Sequence, residues 1–215
     1  MPPSPEPARR RLIAAGERLF AERGIDNVSL REISRASGAR NAVALQHHFE
    51  DRDGLLQAIL DKHVARVDER RAPLLEACAD GRGSLRDLAA ALVLPEAASL
   101  DDPDGGREYL QITAEILTRE RRPRRRPDGG QVLSTLARWR DLVAPRLPPD
   151  AAATHRRFGA VLYVTITLAR RAKLSDSPES PGEAAMLTSS MVDVVEGMLA
   201  TPVSADTRSF LDAWT

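Results

Sequence analysis

The chain has one cysteine, Cys78, in 215 residues. A single thiol closes no intramolecular disulfide and builds no multi-cysteine zinc site. Lysine is nearly absent, with only Lys62 and Lys173, so the basic charge is almost all arginine. No apolar run approaches the roughly 18 residues needed to span a bilayer, which excludes an integral membrane protein. The opening MPPSPEPARRR has no apolar stretch behind it, so no secretion signal is expected, and the cytoplasm is the expected location. Formal net charge is zero, which argues against a generic polyanion binder. No paired-carboxylate, Cys/His or phosphate-loop constellation stands out, so neither an enzyme with catalytic residues nor a cofactor or metal site is expected.

Period-two alternation and β-branched runs are scarce, while helical spacing recurs. Leu12, Ala15, Gly16, Leu19 and Phe20 form an apolar stripe on a first helix, which Gly24 should end. Ser29-Leu30-Arg31-Glu32 has the form of a capping box, so a second, short helix should start near Leu30. Its apolar positions are Leu30, Ile33 and Ala36, and Ser37-Gly38 should stop it. A third short helix fits Asn41 to His48, with Ala42, Leu45 and Phe49 on its inner face and Arg40, Val43, Ala44 and His47 opposite. A fourth starts at Asp51 and carries Leu55, Leu56, Ile59, Leu60, His63, Val64 and Val67; Pro73 should end or kink it. Six further helices are expected near 84–98, 106–121, 130–145, 150–173, 182–200 and 204–213. Proline- and glycine-rich breaks separate most of them. The fold class is all-α, with a small N-terminal unit and a larger C-terminal one.

Charge is distributed unevenly: residues 9 to 49 hold eight arginines against four acidic residues. Two short helices joined by a tight glycine-containing turn and packed by a preceding helix make a helix-turn-helix, whose second helix can enter a major groove. The stretches RLIAAGERLFAERGIDNVSLREISRASG and HHFEDRDGLL resemble the TetR family of one-component regulators. The resemblance covers about 50 residues, the first quarter of the chain. It departs in two places. His47 stands where the family usually has Tyr, and the stretch from Gly38 to Phe49 is one residue longer than in the commonest members.

The resemblance implies a helix-turn-helix DNA-binding domain over residues 1–52 and an effector-binding and dimerisation domain over 53–215. It implies a homodimer on a palindromic double-stranded DNA operator, released when a small, largely apolar effector changes the spacing of the two heads. Ser29 caps its helix and can also face a phosphate. His47 and His48 point about 100° apart on a helix, unsuited to sharing one metal, but their N–H groups can donate to phosphate oxygens. Arg52 matches the family's basic residue at the start of the fourth helix and resembles a phosphate clamp. Arg31 completes the basic surface. Arg40 and Asn41 suit guanine and adenine edges, and Val43 and Ala44 a thymine methyl.

In the C-terminal part, His63, Tyr109, Thr113, Trp139, Tyr163 and Thr167 are candidate effector contacts, although each such residue is more often core or interface than ligand contact. Phe158, Leu162, Ile166, Leu187, Met191, Val194 and Met198 lie on two late helices whose place in the chain resembles the family's dimer helices. The run RERRPRRR, from Arg119 to Arg126, reads as a solvated interhelical loop. Two other readings stand beside this one: a DNA-binding dimer regulated by protein contacts without an effector, and an enzyme on a helical scaffold.

Overall fold

The computed structural model describes residues 5–38, 48–119, 134–174 and 180–214. Among these residues there is no strand. The helices are α1 (Pro5–Arg23), α2 (Leu30–Ala36), α3 (Arg52–Ala77), α4 (Leu85–Ala97), α5 (Gly106–Thr118), α6 (Ser134–Val143), α7 (Arg156–Leu174), α8 (Pro181–Ala200) and α9 (Ala205–Trp214). None is long and apolar enough to cross a membrane.

Local chemistry accounts for most boundaries. Gly24 follows α1 at a φ of 85°, and its N–H donates to the Phe20 carbonyl. Capping boxes open α2 (Ser29 with Glu32), α4 (Ser84 with Asp87) and α8 (Ser180 with Glu183). Three expectations need correction. Pro73 does not end α3, which runs on to Ala77. Pro73 and Glu69 are both exposed, so the Glu69 carbonyl that loses its N–H partner can be hydrated. The helix expected from residue 150 begins at Arg156, because Asp150 and His155 take positive φ values and hold the intervening residues in turns. Ala36 is exposed, while Ser34 and Ser37 of the same turn are buried.

The chain divides into two compact units, with one division inside α3 after Arg66. The first comprises the described residues up to Arg66, those from Ser99 to Arg119, and Ala169–Leu174. Its core is a continuous apolar cluster of Leu12, Ile13, Ala15, Leu19, Phe20, Ile25, Val28, Ile33, Phe49, Leu55, Leu56, Ala58, Ile59 and Ile112. Ile112 brings α5 into the core of α1 and α2, and each fully buried aliphatic side chain stabilises it by roughly 1.5–3 kcal/mol.

In the second unit α4 packs along α8, and Arg86 of α4 bridges Asp193 and Glu196 of α8 at 2.6 and 2.9 Å. Arg71 is buried there. Its Nε donates to the Ala91 carbonyl, and its terminal nitrogens reach Glu96 at 3.0 Å and Thr135 at 3.3 Å. Trp139 is fully buried and donates its indole N–H to the Leu88 carbonyl at 2.7 Å.

Candidate nucleic-acid interface

The first unit holds α1 and α2 at a fixed angle through the 3₁₀ turn Ile25–Asn27. Ile25 and Val28 are buried on either side of Asp26 and Asn27, which face solvent. Ser29 then starts α2. Its hydroxyl accepts from the Glu32 N–H at 3.3 Å, and Glu32 Oε2 accepts from the Ser29 N–H at 2.9 Å. The Ser29 hydroxyl bond, followed by the Ser29 backbone bond, holds the Glu32 carboxyl below its ordinary range. A depressed carboxylate stabilises the fold at neutral pH and loses that contribution as pH falls through its lowered pKa. Replacing Ser29 by Ala should cost about 1 kcal/mol, read as a lower melting temperature with α2 amides exchanging faster. An unchanged α2 exchange rate would contradict this role for the cap.

The turn into α3 is tight. Glu50 takes a φ of 61°, Asp51 N–H donates to the Phe49 carbonyl at 2.6 Å, and Gly54 N–H donates to Asp51 Oδ1 at 2.8 Å. Phe49 is buried, with the Arg9 guanidinium 5.4 Å above its ring and the His48 ring 6.0 Å away, tilted by 51°. A half-buried Arg52 opens α3, with a terminal nitrogen 3.7 Å from Asp26.

Of the candidate DNA contacts, the structure describes four. Ser29 is an exposed cap, Arg31 is exposed on the first turn of α2, His48 stands half-buried beside Phe49, and Arg52 begins α3. Arg40, Asn41, Val43, Ala44 and His47, with the third helix expected for them, lie outside the described residues. An open depression on the same unit, lined by Arg18, Leu19, Arg23, Glu32, Arg35 and Ala36, was not foreseen. Arg18, Arg23 and Arg35 follow no motif; their only sequence signal was the arginine excess.

The effector candidates divide between the units. In the first, the His63 ring stacks on Tyr109 at 4.8 Å, and its Nε2 lies 2.7 Å from Glu17 Oε1. Thr113 donates its hydroxyl to the Tyr109 carbonyl at 2.8 Å. In the second, Trp139 is the buried, bonded side chain described above, and Tyr163 and Thr167 are half-buried on α7. Among the dimer candidates, Phe158 is 47% exposed, and Ile166 and Val194 are also exposed. Leu162, Leu187 and Met198 are half-buried, and Met191 is buried within its own chain. The first residue of the basic run, Arg119, pairs with Asp26; the rest of the run lies outside the described residues.

Among the described residues the regular structure is all helical, and α1 and the capped, arginine-flanked α2 share one core, as a helix-turn-helix requires of its first two helices. Residues 12–59 match the family model for bacterial regulatory proteins of the tetR family. The HTH-type transcriptional repressor Rv1474c of Mycobacterium tuberculosis is 32% identical over 117 residues, covering 50% of this chain and 59% of that protein. The chain thus spans less than two thirds of that relative's length. A solved structure described as a TetR-family transcriptional regulator from Mesorhizobium loti covers 92% of this chain and 99% of its own at 18% identity, with a TM-score of 0.50. Another, described as the probable transcriptional regulatory protein RHA5900, covers 90% and 100% at 18% identity, with a TM-score of 0.53. At that identity the structures speak to fold alone. Over its N-terminal quarter the chain is thus similar to bacterial regulatory proteins of the tetR family.

Proposed function

We propose that this protein is a TetR-type transcriptional repressor. It binds a palindromic operator as a homodimer in the cytoplasm and is released by a small, largely apolar effector. Residues 1–52 serve as the DNA-binding domain and residues 53–215 as the effector-binding and dimerisation domain. The observation that carries the reading is the built head: α1 and α2 share one core, the exposed N-terminus of α2 is capped by Ser29, and Arg31 and Arg52 stand at the starts of α2 and α3. Helix N-termini and arginines are the groups that position a protein on phosphates. Among Arg40, Asn41, Val43, Ala44 and His47 are the residues that would read bases. Exposed Phe158, Ile166 and Val194, with half-buried Leu162, Leu187 and Met198 beside them in the chain, would pair with their copies; Met191 would support them from the core.

A second reading, a DNA-binding dimer without an effector, gains support from one observation. His63 Nε2, the Thr113 hydroxyl and the Trp139 indole N–H are already engaged by Glu17, the Tyr109 carbonyl and the Leu88 carbonyl. These groups would have to exchange partners to hold a ligand.

The test is selection of duplexes from genomic and random DNA, followed by titration of the winner at several salt concentrations and sedimentation of the complex. Competitor-resistant binding by two chains per duplex is expected. Arg52→Ala should weaken binding to every sequence and lower the salt slope by about one. Equal, weak binding to all duplexes would overturn the operator reading. A ligand screen on the same complex separates the effector-released repressor from the effector-free dimer.

A further inference from the structure

Asp26 occupies a place that the helix-turn-helix alone does not explain. It sits on the exposed turn between α1 and α2, and it contacts two arginines from different parts of the first unit. One is Arg52, the candidate phosphate contact at the start of α3, at 3.7 Å. The other is Arg119, the residue that closes α5, which forms a close ion pair with the second carboxylate oxygen. The turn itself is held from α5: Glu115 accepts the Ile25 N–H with both oxygens, at 2.9 and 3.2 Å, so the residue before Asp26 is tied to the last turns of α5. Arg52 is not well served by its present partner. Its Nε is buried with no hydrogen-bond partner among the described residues, and its contact to Asp26 is longer than a good charge-assisted bond.

We propose that Asp26 is a regulatory residue through which α5 sets the availability of Arg52 for DNA. With Arg119 on Asp26, as in this structure, the aspartate charge is largely neutralised from the α5 side, and its hold on Arg52 is only the long 3.7 Å contact, which a phosphate can replace. With Arg119 withdrawn, Asp26 holds Arg52 and presents an uncompensated negative charge beside the DNA. Tyr109 and Thr113 lie earlier on α5, so a ligand that displaced this helix would move Arg119 with it. The inference rests on the DNA-binding reading and adds to it the residues by which binding is tuned.

The test is a double-mutant cycle on the full-length protein, titrated at low salt against the selected duplex and against a mixed-sequence duplex of equal length. Arg52, acting on phosphate, contributes to both. Asp26→Asn should tighten binding about two- to fivefold, the range expected of exposed charge pairs, and Arg119→Ala should weaken it by a similar factor. The decisive result is non-additivity. In the Asp26→Asn background Arg119→Ala should change affinity little, and in an Arg52→Ala background Asp26→Asn should lose most of its gain. Merely structural or generic charge effects would add, and additivity in both backgrounds would overturn the proposal. Asp26 is exposed, so the asparagine variant should keep the wild-type melting temperature. If the wild type bound neither duplex, the DNA-binding reading itself would fall and this inference with it. Wild-type binding with an unchanged Asp26→Asn variant would sink the inference alone.

Discussion

Replacing Glu17 by Ala is expected to destabilise the protein by about 3 kcal/mol, the low end for removing one partner of a buried ion pair. For a chain of this size that is a fall in melting temperature of roughly 6–12 °C. Glu17 lies on α1 with its side chain only 3% exposed, and it accepts from Lys62 Nζ at 3.0 and 3.1 Å while facing His63 Nε2 at 2.7 Å. Lys62 continues to Asp104, and Arg66 joins Asp102 and Asp104 at 2.6 and 2.8 Å. The network ties α1 to α3 and to the loop before α5.

Gly105 shows how close the packing is: at a φ of 83°, a Cβ there would stand 2.4 Å from Glu17 Oε2. Alanine at 17 would leave His63 buried without its partner, whereas Lys62 keeps Asp104 and some solvent, which is why the low end applies. Glu17→Gln should lose clearly less, because its amide oxygen still accepts from Lys62. A loss below about 1 kcal/mol for the alanine variant would show that the network does not hold α1. The outer carboxylates add a pH dependence. Burial pushes the Asp104 carboxyl up, but bonds from Lys62 and Arg66 outweigh it and hold it below its ordinary range. Their contribution is present at neutral pH and is lost as pH falls through that lowered value.

Glu17 also shows where the sequence was legible and where it was not. The apolar stripe of α1, the glycine that ends it, the capping box of α2 and the approximate spans of six later helices all depend on residues within a turn or two of one another. Period and cap chemistry record them directly. Glu17, by contrast, reads as an ordinary polar residue between Gly16 and Arg18. What buries it comes from His63 and Lys62, some 45 residues on, and from the backbone at Gly105. His63 was legible as a polar residue on an apolar face, which reads first as a satisfied core histidine, but the partner that satisfies it, Glu17, was not. Asp26 is a similar case, since the arginines it contacts are distant in sequence. Pro73 left two outcomes open, an end or a kink, and α3 does not end there: the Glu69 carbonyl that loses its N–H partner sits on an exposed residue and can be hydrated.

The turn at Gly54 sets two backbone effects against each other, and their magnitudes decide the outcome. Alanine in a helix is favoured over glycine by about 1 kcal/mol, so propensity alone predicts that Gly54→Ala stabilises the protein. A Cβ at position 54, however, would lie 2.0 Å from the Phe49 carbonyl oxygen, and both atoms are fixed to backbone rather than to a side chain that could swing away. The same carbonyl accepts the Asp51 N–H, and Asp51 in turn caps Gly54, so relieving the clash means opening the turn that starts α3. Overpacking of this kind costs about 1–3 kcal/mol and sometimes more, which exceeds the propensity gain. The variant should melt lower than wild type. It should also lose DNA affinity by more than its stability loss explains, because the turn fixes His48, Phe49 and Arg52 relative to one another. Thermal melts and duplex titrations below the melting point measure the two effects separately. A variant as stable as wild type would mean that the turn relaxes without cost. A destabilised variant that binds DNA normally would mean that the turn anchors α3 but does not position the contact residues.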